Sequence, residues 1–346
     1  NGESVKIPET LSYDDVLLVP QYSDIRSRSE CETSMVLGPG VELKIPIIST
    51  CMDTVTEDVM AGTMAQLGGL GVIHRYNTAD KLADLVRSAI DLAKGEGPVA
   101  AAIGVTDGYF KRANLLVDAG ATALCIDVAH GHHVLVKKVL EELRATFGPD
   151  FCLIAGNVAT LQGVNDLGDW GANAIRCNIG GGSICSTRIQ TGHGVPGFET
   201  IFQTYHTDRN VTLIADGGLR NSGDIVKAIA AGADCVMVGS LLAGTDETPG
   251  TIINSWNQKL KTYRGMASTE AQFEWRGRSS SLEGISTTVP YKGSVRDIVT
   301  NLMQGFRSGM SYSGARDIKE LQRRAQFIRQ TPAGARESGT HILNNR

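Results

Sequence analysis

The sequence has no excess of basic charge: 33 Lys and Arg stand against 37 Asp and Glu, a formal net charge of −4. Without a basic field there is no electrostatic footprint for a nucleic acid. There is no apolar run of membrane length and no signal-peptide pattern at the N-terminus, so neither membrane insertion nor export is expected. The seven cysteines, at 31, 51, 125, 152, 177, 185 and 235, form no CxxC pair and no zinc-type cluster, and their number is odd. This usage suits a reducing, cytoplasmic compartment. Cys125, Cys152 and Cys235 lie inside apolar runs and read as small buried hydrophobes.

What is present is a chain of 346 residues, 42% hydrophobic and 20% charged, enough for a sizeable core. Its 40 glycines are scattered among apolar runs, which favours tight turns over disorder. Eight short apolar runs recur between residues 44 and 240: 44–50, 68–75, 99–105, 121–130, 151–159, 172–180, 211–218 and 235–240. Amphipathic stretches with helical spacing separate them, such as KLADLVRSAIDLAK (81–94) and HVLVKKVLEELRATF (133–147). Buried strands alternating with helices imply a parallel sheet covered on both faces, and eight units predict a (β/α)8 TIM barrel. The competing fold is a doubly wound open sheet, but no G-x-G-x-x-G follows the first run. The reading is one catalytic domain over 1–346, with a flap-like segment at 267–283 and a C-terminal segment at 284–346.

A barrel carries its chemistry at the C-terminal ends of its strands. In order these ends read Ser49-Thr50-Cys51-Met52-Asp53, His74-Arg75, Asp127 with His130, Asn157, a glycine loop with Cys185, Asp216-Gly217-Gly218, and Gly239-Ser240. Any one polar residue there could simply cap the next helix; a ring of them suggests a site. The last two loops, 216–224 and 239–245, are rich in glycine and lead into helix-like segments, the arrangement that binds phosphate through backbone N–H groups.

GGGSICSTR (180–188) is costly to order and sits in a connection of about thirty residues, longer than usual. A cysteine there, close to backbone N–H groups and Arg188, has the profile of a nucleophile; an unreactive surface thiol is the plainer alternative.

This stretch, followed by TGHGVP, resembles the catalytic loop of the IMP dehydrogenase/GMP reductase family, usually written GPGSICTTR…GVGVP. LSYDDVLLVP (11–20), STCMDTVTE (49–57), AGNVAT (155–160), ADGGLRNSGDIVKAIAAGAD (215–234), VMVGSLLAGTDETPG (236–250), YRGMAS (263–268) and GFRSGMSYSGA (305–315) resemble further family blocks. Two positions depart from the pattern: Gly181 replaces the usual proline, and Asn178 stands where a glycine is common.

The resemblance implies a role for each matching position. Cys185 would attack C2 of a purine nucleotide and form a thioimidate. Ser183, Gly218, Gly239, Ser240 and Tyr263 would hold the 5′-phosphate, and Asp216 the ribose. Ser49, Met52, Gly265 and Met266 would line the substrate. Asp127, Ala129, His130 and Asn157 would meet a nicotinamide cofactor. Carbonyls of Gly180, Gly182 and Cys185 would hold a potassium ion, completed by Glu337 and Ser338 of a neighbouring subunit in a homotetramer.

A dehydrogenase of this type needs an Arg-Tyr pair on a long flap to activate water. Residues 267–282, ASTEAQFEWRGRSSSL, hold no such dipeptide and are short. Arg276 and Arg278 read as phosphate or cofactor contacts. A reductase needs a Thr and a Glu, and Thr187 and Glu283 stand at the matching places. SRSECETSMVLG (27–38) looks more like reductases, and no regulatory domain pair is inserted between His74 and Val99. AGARESGTH (333–341) and YRGM look more like dehydrogenases. The expected activity is NADPH-dependent reduction of GMP to IMP; the alternative is an IMP dehydrogenase using NAD. Two further readings are a flavin-dependent barrel oxidoreductase and a nucleotide-binding protein without activity.

Overall fold

The computed structural model describes residues 7–106, 108–279 and 283–340. Parts of the expected flap-like segment (280–282) and of the C-terminal segment (341–346) lie outside them.

Each of the eight apolar runs forms one strand: β1 (Ile47–Ser49), β2 (Leu70–Ile73), β3 (Val99–Ile103), β4 (Ala123–Asp127), β5 (Cys152–Val158), β6 (Ala174–Cys177), β7 (Thr212–Asp216) and β8 (Cys235–Val238). All neighbours pair in parallel, and β8 pairs with β1, so the sheet closes into the expected barrel. Closure leaves no unpaired strand edge.

The helices form where the periodicity predicts them. Helix α1 (Asp58–Gln66) follows β1, and α2 (Ala79–Ala93) follows β2. Thr78 caps α2 by accepting from the Lys81 N–H at 3.3 Å, and Leu82, Leu85, Val86, Ala89 and Ala93 form its buried face. Helix α3 (Tyr109–Asp118) precedes α4 (Val134–Phe147), which buries Val136, Val139, Leu140 and Leu143. Helices α5 (Leu161–Asp169), α6 (Gly197–Thr204), α7 (Ser222–Ala230) and α8 (Val295–Tyr312) complete the ring. The connection from β2 to β3 is this one helix with its turns, so no domain is inserted there.

Two apolar clusters make the core, one between strands and helices and one inside the barrel. The inner one uses small residues such as Ala100, Ala102, Ala123, Cys125 and Cys152, as a narrow barrel requires. Leu37, Val41 and Leu43 of the hairpin Met35–Gly38/Val41–Leu43 join it and plug the end where the strands begin. The chemistry is thereby confined to the opposite end. There, a three-stranded antiparallel sheet (Ile253–Ser255, Gln258–Arg264, Ser286–Pro290) carries a short helix, Thr269–Arg276, within the flap-like segment.

Candidate active site

After β6 the chain runs through the glycine loop into a single turn of helix, Thr187–Thr191. The chain beyond the flap is stitched to this loop like an added strand. Cys185 bridges Gly284, Ser186 N–H donates to the Glu283 carbonyl (3.1 Å), and Ile285 N–H donates to the Ile184 carbonyl (3.2 Å). This pairing brings Glu283 to Thr187. The Cys185 thiol donates to Thr187 Oγ1 at 3.1 Å, and Thr187 Oγ1 donates to Glu283 Oε2 at 2.9 Å. Cys185 is half-buried, whereas the other six cysteines are buried, so the structure singles out the thiol that the loop predicted.

Around Cys185 a cavity of about 380 Å³ opens at the C-terminal ends of the strands. One end gathers the residues expected to hold a phosphate. Gly218, Gly239, Ser240, Ser183 and Tyr263 all line it, and Ser183 Oγ and Tyr263 Oη stand 3.3 Å apart. Gly217 and Gly218 have φ of 82° and 76°, a left-handed turn that turns the chain around this end. Met52, Gly265 and Met266 line the middle, and the Asp53 N–H donates to Met266 Sδ at 3.2 Å.

Asp216 lines the floor, and its Oδ2 accepts from Asn157 Nδ2 (2.8 Å) and Arg176 Nε (3.0 Å). Asp127, Ala129 and Asn157 line the adjoining wall. The expected residues that do not line the cavity are Ser49, His130, Glu337 and Ser338. Ser49 is fully buried and accepts from Thr56 Oγ1 at 2.9 Å, so it ties β1 to the following turn. His130 is exposed one residue past the wall. Glu337 ends the helix Pro332–Glu337, and Ser338 caps it, bonding Gln330 and Gly334 of its own segment.

Other strand-end residues serve the frame. His74 Nε2 pairs with Glu57 at 2.8 Å, and Asp53 pairs with Arg264 at 2.7 Å. Arg188, expected beside the thiol, instead donates to the Val195 carbonyl at 2.9 Å and so staples the loop to its return.

Arg176 is the residue that sequence reasoning missed. It is buried in β6 and bridges Asp127 (2.7 Å) and Asp216 (2.9 Å), while Arg75 Nε donates to the far oxygen of Asp127 at 3.2 Å. Burial alone would raise the Asp127 pKa, but the two guanidiniums outweigh it and hold the carboxyl below its ordinary range. The signal was an arginine in an otherwise apolar run. At the cavity mouth, Trp275 of the flap helix stacks on Tyr76 (5.9 Å, 11° between planes), and Arg276 lines the cavity.

The arrangement offers a half-buried thiol, a hydroxyl and a carboxylate hydrogen-bonded in series with it, a glycine- and hydroxyl-lined end and a carboxylate-bearing floor. The model of the IMP dehydrogenase / GMP reductase domain matches residues 10–341. The chain is 32% identical to an inosine-5′-monophosphate dehydrogenase of Nitrosopumilus maritimus, covering 97% of this chain and 99% of that protein. It is also 32% identical to a GMP reductase of Leishmania donovani, with 99% of each covered. Among solved structures, GMP reductase from Trypanosoma brucei in complex with guanosine 5′-monophosphate superposes with a TM-score of 0.93 at 32% identity, over 99% of both chains.

Proposed function

Because the chain belongs to the IMP dehydrogenase / GMP reductase family of purine nucleotide oxidoreductases, we propose that it catalyses the NADPH-dependent reductive deamination of GMP to IMP. The observation that carries this reading is the unbroken hydrogen-bond chain from Cys185 through Thr187 to Glu283.

The chain of donors runs in the direction a deamination needs. The Cys185 proton passes through the Thr187 hydroxyl to Glu283 as sulfur attacks C2 of the guanine. The same proton then returns to the 2-amino group, the C2–N bond breaks, and ammonia leaves a thioimidate on Cys185. NADPH supplies the hydride for the second half. C2 gains the hydride, the C2–S bond breaks with its electron pair returning to sulfur, and IMP is released; a solvent proton restores the thiol. Ser183, Gly218, Gly239, Ser240 and Tyr263 hold the phosphate, Asp216 the ribose, and Met52, Gly265 and Met266 the base. Asp127, Ala129 and Asn157, which line the adjoining wall, would face the cofactor.

The peptide carbonyls of Gly180, Gly182 and Cys185 would hold a potassium ion, which favours neutral oxygen donors. Glu337 and Ser338 do not line the cavity of their own chain; the proposed assembly is a homotetramer in which a neighbouring copy would bring them to this ion. The proposed compartment is the cytoplasm; no described helix is long and apolar enough to cross a membrane.

A second reading, IMP dehydrogenase with NAD, is favoured by one observation. Arg276 lines the cavity, where a guanidinium could activate water against the thioimidate. The two readings separate at 340 nm. GMP plus NADPH should lose absorbance, and IMP plus NAD should gain little or none; efficient formation of XMP would overturn the reductase assignment.

A further inference from the structure

Asn178, the first residue after β6, is only 4% exposed. Its backbone N–H donates to the Val158 carbonyl (2.9 Å), and its own carbonyl accepts from Asn157 Nδ2 (3.0 Å), so its backbone is pinned to β5. Its side chain crosses under the cysteine loop, where Nδ2 donates to the Gly217 carbonyl at 3.3 Å. Oδ1 is buried with no hydrogen-bond partner among the described residues. A buried amide half satisfied is a poor way to stabilise a fold.

The space around this amide is made by glycines. A Cβ at Gly181 would lie 2.2 Å from Asn178 Nδ2, 2.7 Å from Oδ1 and 2.8 Å from Cγ. A Cβ at Gly197 would lie 3.3 Å from the same Nδ2. Gly181 does not have a positive φ, so its backbone would suit an ordinary residue; only the Asn178 side chain forbids one. The Gly181 carbonyl in turn packs 2.9 Å from where a Cβ of Gly218 would stand. The loop that carries Cys185 and the Asp216–Gly218 turn therefore meet across one amide.

We infer that Asn178 is a positioning residue: its amide locks the cysteine loop onto the Asp216–Gly218 turn, and the absence of a side chain at Gly181 is the counterpart of that lock. The two departures from the family pattern at 178 and 181 are then one compensated exchange, in which the side-chain volume sits at 178 in place of 181. The inference rests on the reading of Cys185 as the nucleophile, whose aim the lock controls. Asn178 holds the loop in the unliganded protein, so its loss should free the thiol before it weakens the barrel.

The test uses four full-length proteins: wild type, N178G, G181A and N178G/G181A. Alkylation of Cys185 by iodoacetamide, followed by mass spectrometry without nucleotide, reports loop freedom independently of any reaction. N178G should alkylate several-fold faster than wild type with an unchanged thermal midpoint, a combination a merely structural role would not produce. G181A should lower kcat/KM by about tenfold, and N178G/G181A should recover most of that loss, because the clash is gone. An N178G protein that alkylates at the wild-type rate, or a G181A cost equal in both backgrounds, overturns the inference. Should G181A fail to fold, a folded double variant is the rescue, and an unfolded one overturns it. If wild type turns over neither GMP nor IMP, the proposed reaction fails, while the alkylation rates still decide the lock.

Discussion

Thr187 and Glu283 stand 2.9 Å apart, oxygen to oxygen, although they are 96 positions apart in the chain. The pairing of residues 184–186 with 283–285 makes this contact, and it turns two separate polar residues into one relay behind the Cys185 thiol.

If the relay acts as a unit, its members will not be additive. E283Q should lower GMP reduction by roughly 10²–10⁴-fold, the usual worth of general acid–base help. T187A should cost about the same, and the double variant little more than either single. Initial rates at saturating NADPH check this; losses that multiply would mean that the two residues work separately.

C185A should abolish turnover and keep nucleotide binding, since Asp216, Gly218, Gly239, Ser240 and Tyr263 lie on other segments and Ser183 is left in place. Calorimetry with GMP, run beside the absorbance assay, reads both quantities. A C185A protein with a substantial fraction of wild-type rate is incompatible with the covalent route.

Replacing a bulky organic cation by potassium at constant ionic strength should raise activity. Carbonyls that converged on one point would repel one another and would need a cation to stay together. The salt exchange alone decides, and a flat response removes potassium from the account.

R176M should destabilise the barrel by about 3–5 kcal/mol, because it leaves Asp216 with no charged partner among the described residues and Asp127 with Arg75 alone. Urea midpoints measure this, and a loss within the range of a surface substitution would contradict the bridge. The acid limb gives a second reading. The folded-state pKa of Asp127 is depressed, burial opposing and Arg176 and Arg75 outweighing it. Its contribution is therefore fully present above the unfolded value of about 3.9 and is lost as pH falls through the lower folded value. Wild type should lose stability over that window more steeply than R176M.

Much of this protein was legible in the chain. Eight apolar runs became eight barrel strands, because a strand buried on both faces must be apolar along its whole length, and that pattern is local. Cys185, Asp216, Gly218 and Ser240 were legible as well, since a closed parallel barrel sends every strand's end to the same face. Tertiary structure alone decided the side chains that reach across it. It sent Ser49 to Thr56 and left His130 exposed, two outcomes of side-chain direction at strand ends where the sequence shows only polarity. It turned Arg176 from an oddity in an apolar run into the bridge between Asp127 and Asp216, because a buried charge must find partners wherever the fold supplies them. It also joined Asn178 to Gly181. Two isolated departures in the sequence share one volume in the folded protein, and which residue fills a volume is settled only when the chain has closed around it.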